Sequence, residues 1–151
     1  MNEELSRANE HVWRYFELHA QQRMTVFNFY IAITGLLAAG IGFTLQQGEK
    51  FAFFTSVMGV FILFISFIFW KLDQRVSILI KNAELALQEL EAQFANANLR
   101  IISKDGSYNM LNSGIQSIWT YGKCFRISFA IVGISGLILA IIPFVLRISG
   151  S

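Results

Sequence analysis

Three stretches, Val26 to Leu45, Phe51 to Trp70 and Ile127 to Leu146, each run 20 residues without one Asp, Glu, Lys, Arg or His. At about 1.5 Å per residue a helix of that length spans roughly 30 Å, the thickness of the hydrocarbon core of a bilayer. A chain of 151 residues that is 54% hydrophobic and 15% charged has too little polar sequence to cover three such helices in water. These features exclude a soluble enzyme and predict an all-α integral membrane protein with three transmembrane helices. The first 24 residues are polar and rich in Glu, unlike a cleavable signal peptide, so the first apolar segment is expected to remain in the mature protein.

Orientation follows from the basic residues. Arg7, Arg14 and Arg23 precede the first span, and Lys71, Arg75, Lys81, Arg100, Lys104, Lys123 and Arg126 lie between the second and third. Only Lys50 and Arg147 fall on the opposite side. Basic residues accumulate in cytoplasmic loops, which predicts a cytoplasmic N-terminus and a C-terminus on the opposite side of the membrane. Tyr30, Trp70, Trp119 and Tyr121 are expected in the interfacial aromatic belt.

The resulting organisation is a cytoplasmic amphipathic helix over 1–24, spans over 25–46 and 51–70, a cytoplasmic helical hairpin over 71–124, and a third span over 125–147. The long helices are expected to extend into a cytoplasmic bundle. In the N-terminal part, helix is expected from about Glu3 to Leu45, with Leu5, Val12 and His19 seven residues apart and Ala8 and Phe16 on the same side. After the second span, Val76, Ile80, Ala83, Leu87, Leu90, Phe94, Ala97 and Ile101 follow steps of four and three, a heptad seam. That seam packs either within the chain or between copies, with Leu87, Leu90 and Phe94 as candidate oligomer contacts. Asp105-Gly106 reads as a turn.

Small residues at helical spacing occur at Gly35 and Ala39, at Ala38 and Gly42, and at Gly136 and Ala140. Such pairs let membrane helices approach closely, within a chain or between chains, and they make Gly35, Ala39 and Gly42 candidate oligomerisation positions. The spans lack the buried charge that proton-coupled transporters need, and one protomer with three spans cannot enclose a channel. A pore therefore requires several copies. Candidate positions at its mouth are His19, Arg23, Asn28 and Thr34, where a polar helix becomes a membrane helix. A single Cys and two His exclude a disulfide framework and a Cys-based zinc site, and no metal or cofactor is expected. A formal charge of +2 gives no reason to expect direct DNA binding.

Arg14 and His19 form an Arg-x4-His spacing that resembles the signature of the nucleotide-acting helical ribonucleases. At 100° per residue the two lie about 140° apart on one helix, so a ribonuclease site would need completion between chains. Together with the run Gln22-Arg23-Met24 leading into Phe27-Asn28-Phe29 and the three spans, the layout resembles the small multi-span membrane effectors of bacterial anti-phage systems, including the accessory proteins beside RNA-guided CRISPR RNases. The resemblance covers the whole chain in architecture and about twenty residues in sequence character. It implies a non-enzymatic homo-oligomer that forms a pore and depolarises the inner membrane, contacting lipid and a cytoplasmic defence protein or nucleoprotein complex. The alternatives are a membrane scaffold that docks a soluble partner and a membrane-anchored ribonuclease using Arg14 and His19.

Overall fold

The computed structural model describes residues 3–93, 96, 98, 100–105 and 119–149. Helix α1 runs from Glu3 to Gln46, α2 from Ala52 to Glu91 and α3 from Tyr121 to Ser149, and every regular element among the described residues is helical. Each of the three is long and apolar enough to cross a membrane. Apolarity ends well before helicity in α1 and α2, since nothing in the flanking polar sequence breaks the backbone pattern. Between them Gly48, with φ of +77°, makes the reversal that an L side chain rarely adopts, and Phe51 N donates to Gly48 O to close a 3-10 turn over Glu49–Phe51.

The chain forms two compact units. The apolar unit comprises Met24–Asp73 and Tyr121–Ser151. Its contacts fix the helix directions: Thr44 meets Thr55 and Tyr30 meets Ser66, so α1 and α2 are antiparallel. Gly59 approaches Gly136 and Arg126 approaches Asp73, so α2 and α3 are antiparallel as well. The unit buries Thr34, Thr44, Thr55, Ser56, Ser66 and Asp73 beside Tyr30, Ile41, Ile62, Phe125 and Phe129, whereas Phe29, Leu36, Phe43, Phe61, Ile131 and Phe144 are exposed. Water would penalise that surface and hydrocarbon would not.

Glycine decides how closely the helices pack. A Cβ on Gly59 would lie 2.7 Å from both Ala140 N and Gly136 O, and one on Gly136 would lie 2.8 Å from Gly59 O. The Gly136–Ala140 pair is therefore consumed inside the chain by Gly59. Pro143 sits within α3, beyond this contact.

The polar unit comprises Met1–Arg23 and Gln74–Thr120. Val76, Ile80, Ala83 and Leu87 of the seam are buried and Leu90 is half-buried, while Leu5, Val12, Phe16 and His19 are half-buried on the facing stretch of α1. Phe94 and Ala97 lie outside the described residues, as does Gly106, and Ile101 is exposed. A carboxylate closes the end of α2. Glu91 accepts hydrogen bonds from Ile102 N at 3.0 Å, Ser103 N at 2.9 Å and Ser103 Oγ at 3.0 Å, tying α2 to the helical turn over 101–105. Burial pushes the Glu91 carboxyl upward, but these donors outweigh it and hold the group below the usual 4.5.

A testable consequence follows for pH. Because its folded value is depressed, Glu91 contributes stability that is fully present above about pH 4.5 and disappears as pH falls through the lower folded value. Glu84 acts in the opposite sense. Burial and Asp105 raise it against the pull of Lys81 and Arg23, so its contribution is present in acid and is lost as pH rises through the raised value. Glu91→Gln is expected to speed amide exchange over 101–105 about tenfold at pH 7, given the worth of hydrogen bonds to a charged acceptor, and to lose that effect as pH falls through the depressed folded value.

Candidate functional site: the membrane bundle and its exposed α1 face

Within the apolar unit, Phe27 of α1 stacks on Phe125 of α3 with ring centroids 4.0 Å apart. Tyr30 meets Phe129 edge-on at 4.7 Å and Phe69 at 5.3 Å. Its hydroxyl is 2.9 Å from Ser66 Oγ. Tyr30 is fully buried (0%) rather than placed in the interfacial belt, because a hydroxyl at that depth is better satisfied by a neighbouring helix than exposed to acyl chains. Trp70, Trp119 and Tyr121 are exposed. The result is an aromatic layer joining all three helices at the end of the unit that carries Asp73 and Arg126.

The candidate pore residues do not share one face. Thr34 is buried, its Oγ1 donating to Tyr30 O at 2.8 Å, a back-bond that satisfies it within α1. In the polar unit, His19 and Arg23 are half-buried. His19 Nδ1 lies 3.2 Å from Gln22 Oε1, and the His19 ring sits edge-on to Tyr15 at 4.3 Å. Asn28 alone among the four is exposed.

It shares that exposure with Gly35, Ala39 and Gly42. Asn28, Gly35 and Gly42 are seven residues apart, and Ala32 and Ala39 complete the four-three spacing, so these positions form one strip along α1. A Cβ on Gly35 or Gly42 would meet nothing within 4 Å, in contrast to Gly59 and Gly136. Among the candidate seam contacts, Leu87 is buried by its own chain.

The Arg14–His19 pair is not brought together. Arg14 Nη2 is 2.6 Å from Glu10 Oε1, an exposed ion pair one turn away, and shares a shallow groove with Arg7, Glu10 and His11. The described residues contain no group of three His, Cys, Asp or Glu side chains able to hold a metal. Three features eluded sequence reasoning: the Tyr30–Ser66 and Thr44–Thr55 hydroxyl pairs, the Gly59 contact, and the Asp73–Arg126 ion pair. Hydroxyl residues inside apolar windows were a signal for the first, but which helix each would face was not encoded in one helix alone.

No family model and no solved structure matches the chain. A curated protein does: CD-NTase-associated protein 19 of Escherichia coli is 76% identical over 151 residues, covering 100% of both chains. Its name associates that protein with a CD-NTase and does not mention a CRISPR RNase. Identity at this level over the full length leaves one conclusion, that the chain belongs to the family of CD-NTase-associated protein 19.

Proposed function

We propose that the protein is an oligomeric inner-membrane effector of anti-phage defence that depolarises the membrane, with opening controlled through its polar, cytoplasmic helices. The observation that supports this most directly is the α1 strip. Gly35, Ala39 and Gly42 expose a backbone surface that a second helix could approach closely, and Asn28 places an amide on the same strip. An amide facing acyl chains is costly unless paired, and asparagine can both donate to and accept from its counterpart in another copy. Copies assembled through this strip would bring several Asn28 side chains together near the inner end of the first span. His19 and Arg23, on the inward side of the polar unit, then act on opening through that unit rather than as collars in the pore.

The family's name suggests the cellular setting, in which a CD-NTase takes the place of the CRISPR complex implied by the architectural resemblance. The word "associated" in that name equally favours the second reading, a non-conducting membrane scaffold that docks a soluble partner. Neither reading gives Arg14 or His19 a chemical role. Size determination in detergent tests the assembly: a species several times heavier than 17.1 kDa is expected, and a monomer at micromolar concentration would overturn it.

The direction of insertion is checked separately. A reporter active only in the cytoplasm is expected to work at the N-terminus or near Gly106 and to fail at Ser151. Activity at Ser151 would contradict the three-span topology.

A further inference from the structure

The end of the apolar unit that carries the aromatic layer also carries Lys71, Lys123 and Arg126. Lys71 lies one residue beyond Trp70 on α2, with Nζ 6.0 Å from the Phe67 ring centroid and 5.9 Å from that of Trp70. Lys123 and Arg126 are exposed and one turn apart on α3, so both project from the same side of that helix. Arg126 Nε is 3.6 Å from Oδ2 of Asp73, which is 3% exposed, whereas the Arg126 side chain is 47% exposed. The ion pair holds one edge of the guanidinium against α2. Nearly half of the Arg126 side chain stays exposed, and the planar fork of its guanidinium suits phosphate oxygens. Three cations against one buried carboxylate leave this end positive, and the N-terminus of the 29-residue α3 adds the positive end of its dipole.

We infer that Lys71, Lys123 and Arg126 form a binding site for the headgroup phosphate of an anionic phospholipid, with Asp73 as the residue that positions Arg126. The location argues for a lipid rather than a soluble anion. Trp70 and Phe67 are exposed beside the cations, so an acyl chain can lie along apolar side chains while its phosphate meets Lys71 and Arg126. The inference goes beyond the depolarising role and depends only on α2 and α3 being membrane spans. The anionic lipid then bridges α2 and α3 beside the Asp73–Arg126 ion pair, and membrane composition sets how firmly those helices are held.

Native mass spectrometry of the full chain in detergent tests this with phosphatidylglycerol and phosphatidylcholine as probes. The wild-type protein is expected to retain phosphatidylglycerol at least about tenfold better, given the attraction of each juxtamembrane cation for anionic lipid. Combining Lys71→Gln, Lys123→Gln and Arg126→Gln should bring the two lipids close to parity, while Lys50→Gln, at the opposite end of the unit, should leave the preference intact. Equal retention by the wild type would overturn the inference without recourse to any variant. So would an equal loss in Lys50→Gln, which would mark a bulk charge effect, or displacement of the lipid by millimolar inorganic phosphate, which would mark a soluble-anion site. Because the readout is lipid retention and not conductance, failure here leaves the depolarising role untouched, and the reverse is equally true.

Discussion

Gly59→Ala or Gly136→Ala is expected to unfold the membrane bundle more readily than alanine at the other helical glycines compared, Gly35, Gly40, Gly42 and Gly133. The added carbon would lie 2.7 to 2.8 Å from backbone atoms of the facing helix, where no side chain can rotate away. Helices α2 and α3 must separate, losing dispersion contacts along their length, and overpacking of this kind costs about 1–3 kcal/mol. Gly133→Ala should be milder, since its nearest neighbour is the Ser66 side chain at 3.2 Å. Thermal melting of the purified protein, followed through the reactivity of Cys124, measures the order. Unchanged melting in Gly59→Ala would mean that α2 and α3 do not meet where the structure places them.

The second large effect separates folding from assembly. Gly35→Val with Gly42→Val adds bulk where nothing lies within 4 Å, so the melting of the single chain should change little. Contact between copies should nonetheless collapse, because β-branched side chains hold the two backbones apart. Asn28→Leu should weaken association less, by roughly the 0.6 kcal/mol typical of an interhelical hydrogen bond in a membrane. Crosslinking in native membranes reads this out. Oligomers that persist in the double valine variant would move the contact away from the α1 strip.

The contrast between these two glycine sets also marks where sequence reasoning stops. The three windows, and helices extending beyond them, were legible because span length and unbroken polar flanks are local properties. Small-residue spacing was legible too, but Gly35 with Ala39 and Gly136 with Ala140 look alike in sequence, and only packing distinguishes an occupied face from an open one. Tyr30 was assigned to the aromatic belt from its depth alone. Its direction around the helix, toward Ser66, depends on a helix 36 residues further along. Of the seam read from Val76 to Ile101, Val76, Ile80, Ala83 and Leu87 are buried within the polar unit, but Leu90 is half-buried and Ile101 is exposed, so spacing alone did not show where the covered face ends. Asp73 and Arg126 lay just outside the charge-free windows, so each read as an ordinary flanking charge. Nothing local announced that one of them is buried against the other.

The central claim, that assembled copies depolarise the membrane, is tested most directly by membrane potential. Cells expressing the protein together with its neighbouring genes and loaded with a potential-sensitive dye are expected to lose potential once the system is activated, and the double valine variant, inserted at equal level, should retain it. An intact potential in activated cells that hold the wild-type protein, correctly inserted and assembled, would contradict the account and leave the scaffold reading in its place.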